Sequence, residues 1–204
     1  GISLKFTNGV IRRGTGFAKY DPIIKISNGT IVEFYETLTI FGENLPTNGV
    51  AVYLGDASLK TAAWIGNTQD AELDYYCCIS AYSSSSKLEV SGGIIYLGGI
   101  YYEGTEPLVI SGGKHSLIIP CCSDAVISGE NTEISLFSFE KNTSKLYLKS
   151  SVKYLNFHDW SNVISDGYAV ATGYDGYQLT EDDLQMIKVS YDKSVCDYEK
   201  RLEG

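Results

Sequence analysis

The sequence predicts an all-β fold, and three observations carry that expectation. A short Ser/Thr-(Asn/Gly)-Gly turn recurs along the chain, Gly (21) far outnumbers Pro (4) and Met (1), and Tyr (16) dominates the aromatics. Asn and Gly tolerate positive φ, and Ser or Thr hydroxyls bond nearby backbone groups, so the turn has a physical mechanism. Tyr suits a half-buried pleated surface, where its ring packs and its hydroxyl stays wet.

The turn reads Phe6-Thr7-Asn8-Gly9, Ile26-Ser27-Asn28-Gly29 and Pro46-Thr47-Asn48-Gly49. It returns as Val90-Ser91-Gly92-Gly93, Ile110-Ser111-Gly112-Gly113 and, degraded, Ile127-Ser128-Gly129-Glu130. The copies lie about 20 residues apart, and Gly66-Asn67-Thr68 sits near the middle of the one double-length gap. Periodicity of this length marks solenoids and other repeat architectures. Secondary turn signals fall between the main ones, at Gly14-Thr15-Gly16, Gly42-Glu43-Asn44, Gly55-Asp56, Glu103-Gly104-Thr105 and Ser123-Asp124. Strands of roughly 4–8 residues fit between them.

Two architectures compete. In a β-solenoid, each period is one coil and equivalent strands stack in parallel. In an antiparallel sandwich or meander, each Asn-Gly or Gly-Gly is a hairpin turn. About Gly92-Gly93 a hairpin sets Val90 against Ile95 and Leu88 against Leu97, a clean alternation. About Asn28-Gly29 it sets Ile24 against Glu33, which is poor. The period favours the parallel solenoid, with coils of about 20 residues.

The repeat assigns residues 1–164 to a β-repeat domain, 165–178 to a linking loop and 179–204 to an amphipathic α-helix. Thr180 is a suitable N-cap, and Glu181, Asp182 and Asp183 suit the positive end of the helix dipole. Leu184, Ile187, Tyr191, Val195, Tyr198 and Leu202 form an apolar stripe. That stripe either caps the β body or joins subunits of a homo-oligomer.

A net charge of −9 with scattered Lys and Arg argues against nucleic acid or an anionic membrane as partner. No apolar stretch approaches the roughly 20 residues of a membrane-spanning helix. Gly1 reads as a processed end or cloning remnant, compatible with an extracellular or cell-surface location. The cysteines fall as Cys77-Cys78, Cys121-Cys122 and Cys196. Neighbours on a strand point to opposite faces, so each pair places one thiol inward and one outward. They read as small core side chains, with a disulfide between the two paired regions as the alternative.

No nucleotide motif is present and no cofactor is implied. His115 and His158 read as surface or turn residues. Asp70, Glu72 and Asp74, at alternate positions, share one strand face and could act as acid and base on a polysaccharide or hold a hard cation. Alternation with Ala71, Leu73 and Tyr75 equally makes them a solvated face. Tyr75-Tyr76, Tyr96 and Tyr101-Tyr102 fall in consecutive periods, so Tyr76, Tyr96, Tyr101 and Tyr102 become candidates for an exposed ladder contacting a glycan or protein. The Gly-rich turns, Tyr-rich short strands and acidic balance resemble microbial surface and phage-appendage repeat modules. The expected function is therefore a non-catalytic binding or structural module, with a polysaccharide hydrolase or lyase as the alternative.

Overall fold

A computed structural model describes residues 2–14, 21–41, 50–66, 77–141, 143–157, 162–165 and 188–189, with backbone alone at 77, 96, 97, 188 and 189. The described chain is all-β, without an α-helix, and every strand pairing in it is parallel. In chain order the strands begin with β1 (Ser3–Phe6), β2 (Gly9–Arg12), β3 (Ile24–Ile26), β4 (Ile31–Phe34), β5 (Leu38–Phe41) and β6 (Val50–Leu54). There follow β7 (Ser58–Thr61), β8 (Trp64–Gly66), β9 (Cys77–Ala81), β10 (Lys87–Val90), β11 (Ile94–Tyr102), β12 (Leu108–Ile110) and β13 (Lys114–Pro120). The last are β14 (Ala125–Ile127), β15 (Glu133–Phe137), β16 (Leu146–Leu148), β17 (Tyr154–Phe157), β18 (Val163–Ser165) and β19 (Lys188–Val189).

One sheet runs β1-β4-β7-β10-β12-β14-β16-β18-β19. The other runs β2-β5-β8-β11-β13-β15-β17, and a third row, β3-β6-β9, joins it at β11. The nine-residue strand β11 makes that junction, pairing Ile94–Tyr96 with β8 and Gly99–Tyr102 with β9. Up to that point the second and third rows are separate strands, with residues 42–49 and 67–76 between them. From β11 onward they are continuous.

That junction corrects the repeat length. In the first sheet Ser3 lies opposite Ile31, Ile31 opposite Ser58 and Ser58 opposite Lys87, offsets of 28, 27 and 29 residues. Afterwards Glu89 lies opposite Val109, Leu108 opposite Ala125 and Ala125 opposite Leu146, offsets of 20, 17 and 21. The even 20-residue spacing of the early turns has another origin, because the turns belong to two classes. Asn8-Gly9, Gly92-Gly93, Gly112-Gly113 and Ser128-Gly129 follow first-sheet strands, whereas Asn28-Gly29 precedes one. Pro46-Thr47-Asn48-Gly49 lies outside the described residues, as do Asn67 and Thr68, while Gly66 ends β8.

The glycine pairs are not hairpins. Val90 pairs with Thr61 and Ile110, not with Ile95. The amides step from one turn of the chain to the next: Ser111 N donates to Val90 O (2.8 Å), Lys114 N to Gly93 O (3.0 Å) and Glu133 N to Gly113 O (2.8 Å). Gly93 and Gly113 are required at their places. Their φ values are 74° and 93°, and a Cβ would fall 2.2 Å from Ala63 O and 2.5 Å from Gly93 O respectively. A side chain would thus split the stacked turns.

Parallel register places like on like inside. One inward row reads Val32, Leu59, Leu88, Leu108, Ala125, Leu146 and Val163, none more than 4% exposed. Another reads Ile40, Ile65, Ile95, His115, Ile134 and Leu155, and a third reads Val52, Ile79, Ile100, Ile118, Phe137 and Phe157. Burial of roughly 1.5–3 kcal/mol per large apolar side chain makes these rows the main stabilising term. The expectation of a surface His115 is therefore wrong, since the alternation of β13 turns it inward among isoleucines. His158 lies outside the described residues.

The paired cysteines behave as alternation requires where both are visible: Cys121 is buried and Cys122 exposed. Cys121 and Cys122 are free thiols, so the expected disulfide alternative finds no support at these two. The proposed helix over 179–204 lies outside the described residues except at Lys188–Val189. Those two are strand, with Lys188 opposite Ile164 and Val189 opposite Ser165. The linking loop over 165–178 is likewise undescribed beyond Ser165.

The glycine stack yields a direct test. Gly93→Ala is expected to cost roughly 3 kcal/mol, from left-handed backbone strain plus the carbonyl clash. Gly92→Ala meets only Ala62 Cβ at an ordinary 3.5 Å and should stay within about 0.5 kcal/mol. Urea unfolding of the two variants checks the contrast.

Candidate functional site

The third row carries aromatic side chains on its outer side. Register runs Lys25, Tyr53, Ser80, Tyr101 across β3, β6, β9 and β11, alternating with the inward Val52, Ile79 and Ile100. Ser80 is too short to continue an aromatic row, and Tyr82, just past the end of β9, supplies the missing ring. Tyr53 and Tyr82 stack with centroids 6.1 Å apart at 29°, and Tyr82 and Tyr101 lie 5.3 Å apart at 44°. Lys25 Nζ sits 5.6 Å from the Tyr53 centroid, within cation–π range. Ser80 is fully buried beside this ladder, and its hydroxyl has no hydrogen-bond partner. Tyr82 is 49% exposed, while Tyr53 and Tyr101 are half-buried.

The Cys121 thiol beside the Tyr101 hydroxyl, together with burial, holds the Tyr101 phenol well above its usual pKa. Burial pushes Cys121 up to about 12, so both groups are neutral at pH 7. The result is a row of three rings inclined to one another by 29° and 44°, with one ammonium at its start.

Of the tyrosines singled out in the sequence, Tyr101 belongs to this ladder and Tyr102 does not. Tyr102 is fully buried in the inward row of Ile26, Leu54 and Ala81. Its hydroxyl donates within reach of Ser86 O (2.9 Å) and Glu106 O (3.0 Å), and Gly104 leaves the space for its ring. It is a core residue, and its role as a surface contact is withdrawn. Tyr76, Asp70, Glu72 and Asp74 lie outside the described residues, and of Tyr96 only the backbone is described. Leu184, Ile187, Tyr191, Val195, Tyr198 and Leu202 also lie outside. Tyr53, 48 residues before Tyr101, was missed because a uniform 20-residue period does not align the two; Tyr82, 19 residues before Tyr101, fits that period and was overlooked. The true offsets do align Lys25, Tyr53 and Ser80, and Tyr82 is then two residues from its register position.

A second polar cluster lies on the outer side of the second sheet. Lys114 is opposite Glu133, which is opposite Tyr154, along a cleft of about 270 Å³. Glu133 Oε1 accepts from Lys153 Nζ at 2.5 Å, and Oε2 lies 3.2 Å from Lys114 Nζ. Burial alone would raise the Glu133 pKa, but Lys153 and Lys114 outweigh it and hold the carboxyl below its usual value. Ionised and doubly paired, Glu133 is unsuited to act as a general acid. Its neighbour His115 places Nε2 2.8 Å from Gly112 O, so that nitrogen carries the proton, and Nδ1 faces the core without a partner.

Comparison with protein-family models, with curated protein sequences and with solved structures finds no match.

His115 generates a pH prediction. Burial lowers its pKa from 6.5 to about 4. The unfolded chain binds a proton between those values and the folded chain does not, so this stabilisation is complete above about 6.5 and lost as pH falls toward 4. Two and a half pKa units correspond to roughly 3 kcal/mol. His115→Leu should remove that component, making stability less pH-dependent between 6.5 and 4 than in the parent chain. Denaturant unfolding at several pH values reads the difference, and parallel pH curves would count against it.

Proposed function

We propose that the chain is a β-solenoid whose outer Tyr53–Tyr82–Tyr101 ladder is a non-catalytic binding strip for a neutral glycan. The observation that carries this reading is the ladder itself. Three phenol rings from successive strand levels each sit 5.3–6.1 Å from the next, one of them about half exposed. Sugar rings offer apolar faces for such platforms and hydroxyls for the phenol edges. Strand levels repeat at about 4.8 Å, so the platform extends in one direction, as an oligosaccharide does. A net charge of −9 disfavours acidic polysaccharides as ligands. A flat protein face is the other partner that an aromatic strip suits.

The solenoid reading is supported by exclusively parallel pairing, by rows of like residues and by the stacked turns. It would make the ladder one of several outer faces of a single elongated body. A microbial surface or phage-appendage setting suits such a body.

Titration calorimetry against a panel of neutral and acidic oligosaccharides tests the proposal. A neutral oligosaccharide should bind, and Tyr82→Ala should weaken it about tenfold, equivalent to about 1.4 kcal/mol. Absence of binding across the panel, or binding that Tyr82→Ala and Tyr53→Ala leave unchanged, would overturn it.

A further inference from the structure

The tyrosine ladder has charge of opposite sign at its two ends. Just past the strand ends, backbone bonds run from level to level: Tyr82 N donates to Leu54 O (3.3 Å), Glu103 N to Ala81 O (2.8 Å), Cys121 N to Tyr102 O (2.8 Å) and Glu140 N to Pro120 O (3.2 Å). Tyr82, Glu103 and Cys121 therefore stand in one row, with Glu140 next in it. They lie two residues beyond Ser80, Tyr101 and Ile119, the spacing that returns side chains to the same side. The stacking of Tyr82 on Tyr101 agrees with that placement. Behind the Cys121 thiol and burial, the charges of Glu140 and Glu103 also bear on the Tyr101 phenol. Glu140 is exposed and Glu103 half-buried, while Lys141, next in the chain, is held at Cys122 Sγ (3.5 Å).

Lys25 stands at the other end, its ammonium 5.6 Å from the Tyr53 centroid. It shows what these ring faces take, since a cation within about 6 Å of a ring centroid is drawn by the ring quadrupole. Tyr82 and Tyr101 offer similar faces, and among the described residues no cation lies over either. A net charge of −9 draws cations toward the whole molecule. The strip thus repels a cation at its Lys25 end and attracts one at its Tyr101 end.

We infer that the strip selects a glycan bearing a free amine, an amino sugar unsubstituted at nitrogen, and seats that ammonium at the Tyr101 end beside Glu103 and Glu140. This rests on the ladder being a glycan-binding strip, and it adds the group that sets specificity and direction. The rings alone take a neutral sugar. The amine adds one cation–π contact and one charge pair, both of which N-acetylation removes.

The probes are a β-1,4-linked glucosamine tetrasaccharide and its fully N-acetylated counterpart, titrated calorimetrically into the full chain at pH 6 and low salt. The amine form should bind about tenfold more tightly, the size of one exposed cation–π contact together with one exposed ion pair. Glu103→Gln combined with Glu140→Gln should bring the two affinities together, whereas Tyr82→Ala should weaken both. Glu33→Gln combined with Glu89→Gln, on the outer face of the first sheet, makes the same change in net charge and should leave the preference intact. Equal or weaker binding of the amine form, with both forms weakened by Tyr82→Ala, would overturn this inference and leave the glycan strip standing. No binding of either form, or binding that Tyr82→Ala leaves unchanged, would overturn the strip as well. A preference that survives the Glu103 and Glu140 changes, or that the Glu33 and Glu89 changes remove equally, would overturn the seat assigned to the amine.

Discussion

Parallel backbone pairing between residues 17 to 30 apart is the interaction on which everything else in this molecule rests. Apart from β18 with β19, no described strand pairs with the next described strand in the chain, so each ladder bond is long-range and none is supplied by a local turn. That arrangement carries an entropic cost of loop closure, but the cost grows only slowly with loop length. It is offset by apolar side chains, which parallel register sets directly above one another in closed rows. A row tolerates a change of size only if its neighbours compensate. Gly104 shows one such compensation, giving up a side chain where the Tyr102 ring needs room.

Register also generates the outer aromatic row. A β-strand alternates faces, so the outer row of β3, β6, β9 and β11 is fixed once Val52, Ile79 and Ile100 are committed to the core. Tyr53 and Tyr101 then fall in one line, and the short Ser80 between them leaves a place for Tyr82. A charged row on the outer side of the first sheet has the same origin. Lys5, Glu33, Lys60 and Glu89 sit at one position of successive strands, and their alternating sign lets each meet an opposite charge. Both surfaces are consequences of inward packing read from the other side.

Much of this was legible in the sequence. The recurring turn, the excess of Gly and the Tyr-rich aromatics identified the β class, and strand alternation required one of Cys121 and Cys122 to face inward and the other outward. The repeat length was not legible. Asn8-Gly9 and Asn28-Gly29 have the same chemistry because both turns need positive φ, yet they occupy different turns of the path, and their spacing imitates a period. The extra residues between the second and third rows, at 42–49 and 67–76, lengthen the early repeats, and nothing in their composition announces it. Tyr102 was misassigned for a related reason. Adjacent tyrosines must face opposite ways, but which one faces inward depends on the break in β11 register between Ile95 and Gly99. His115 was misread because its polarity outweighed its place in an isoleucine row, where a single carbonyl, Gly112 O, satisfies one of its two ring nitrogens.

The central claim, that each turn of the chain bonds to the next and not back upon itself, is tested most directly by NMR detection of couplings across backbone hydrogen bonds. The account predicts correlations from Ser111 N to the Val90 carbonyl, from Lys114 N to Gly93 and from Glu133 N to Gly113. A correlation between Ile94 and Ser91, across the Gly92-Gly93 turn, would mean a hairpin and would contradict it.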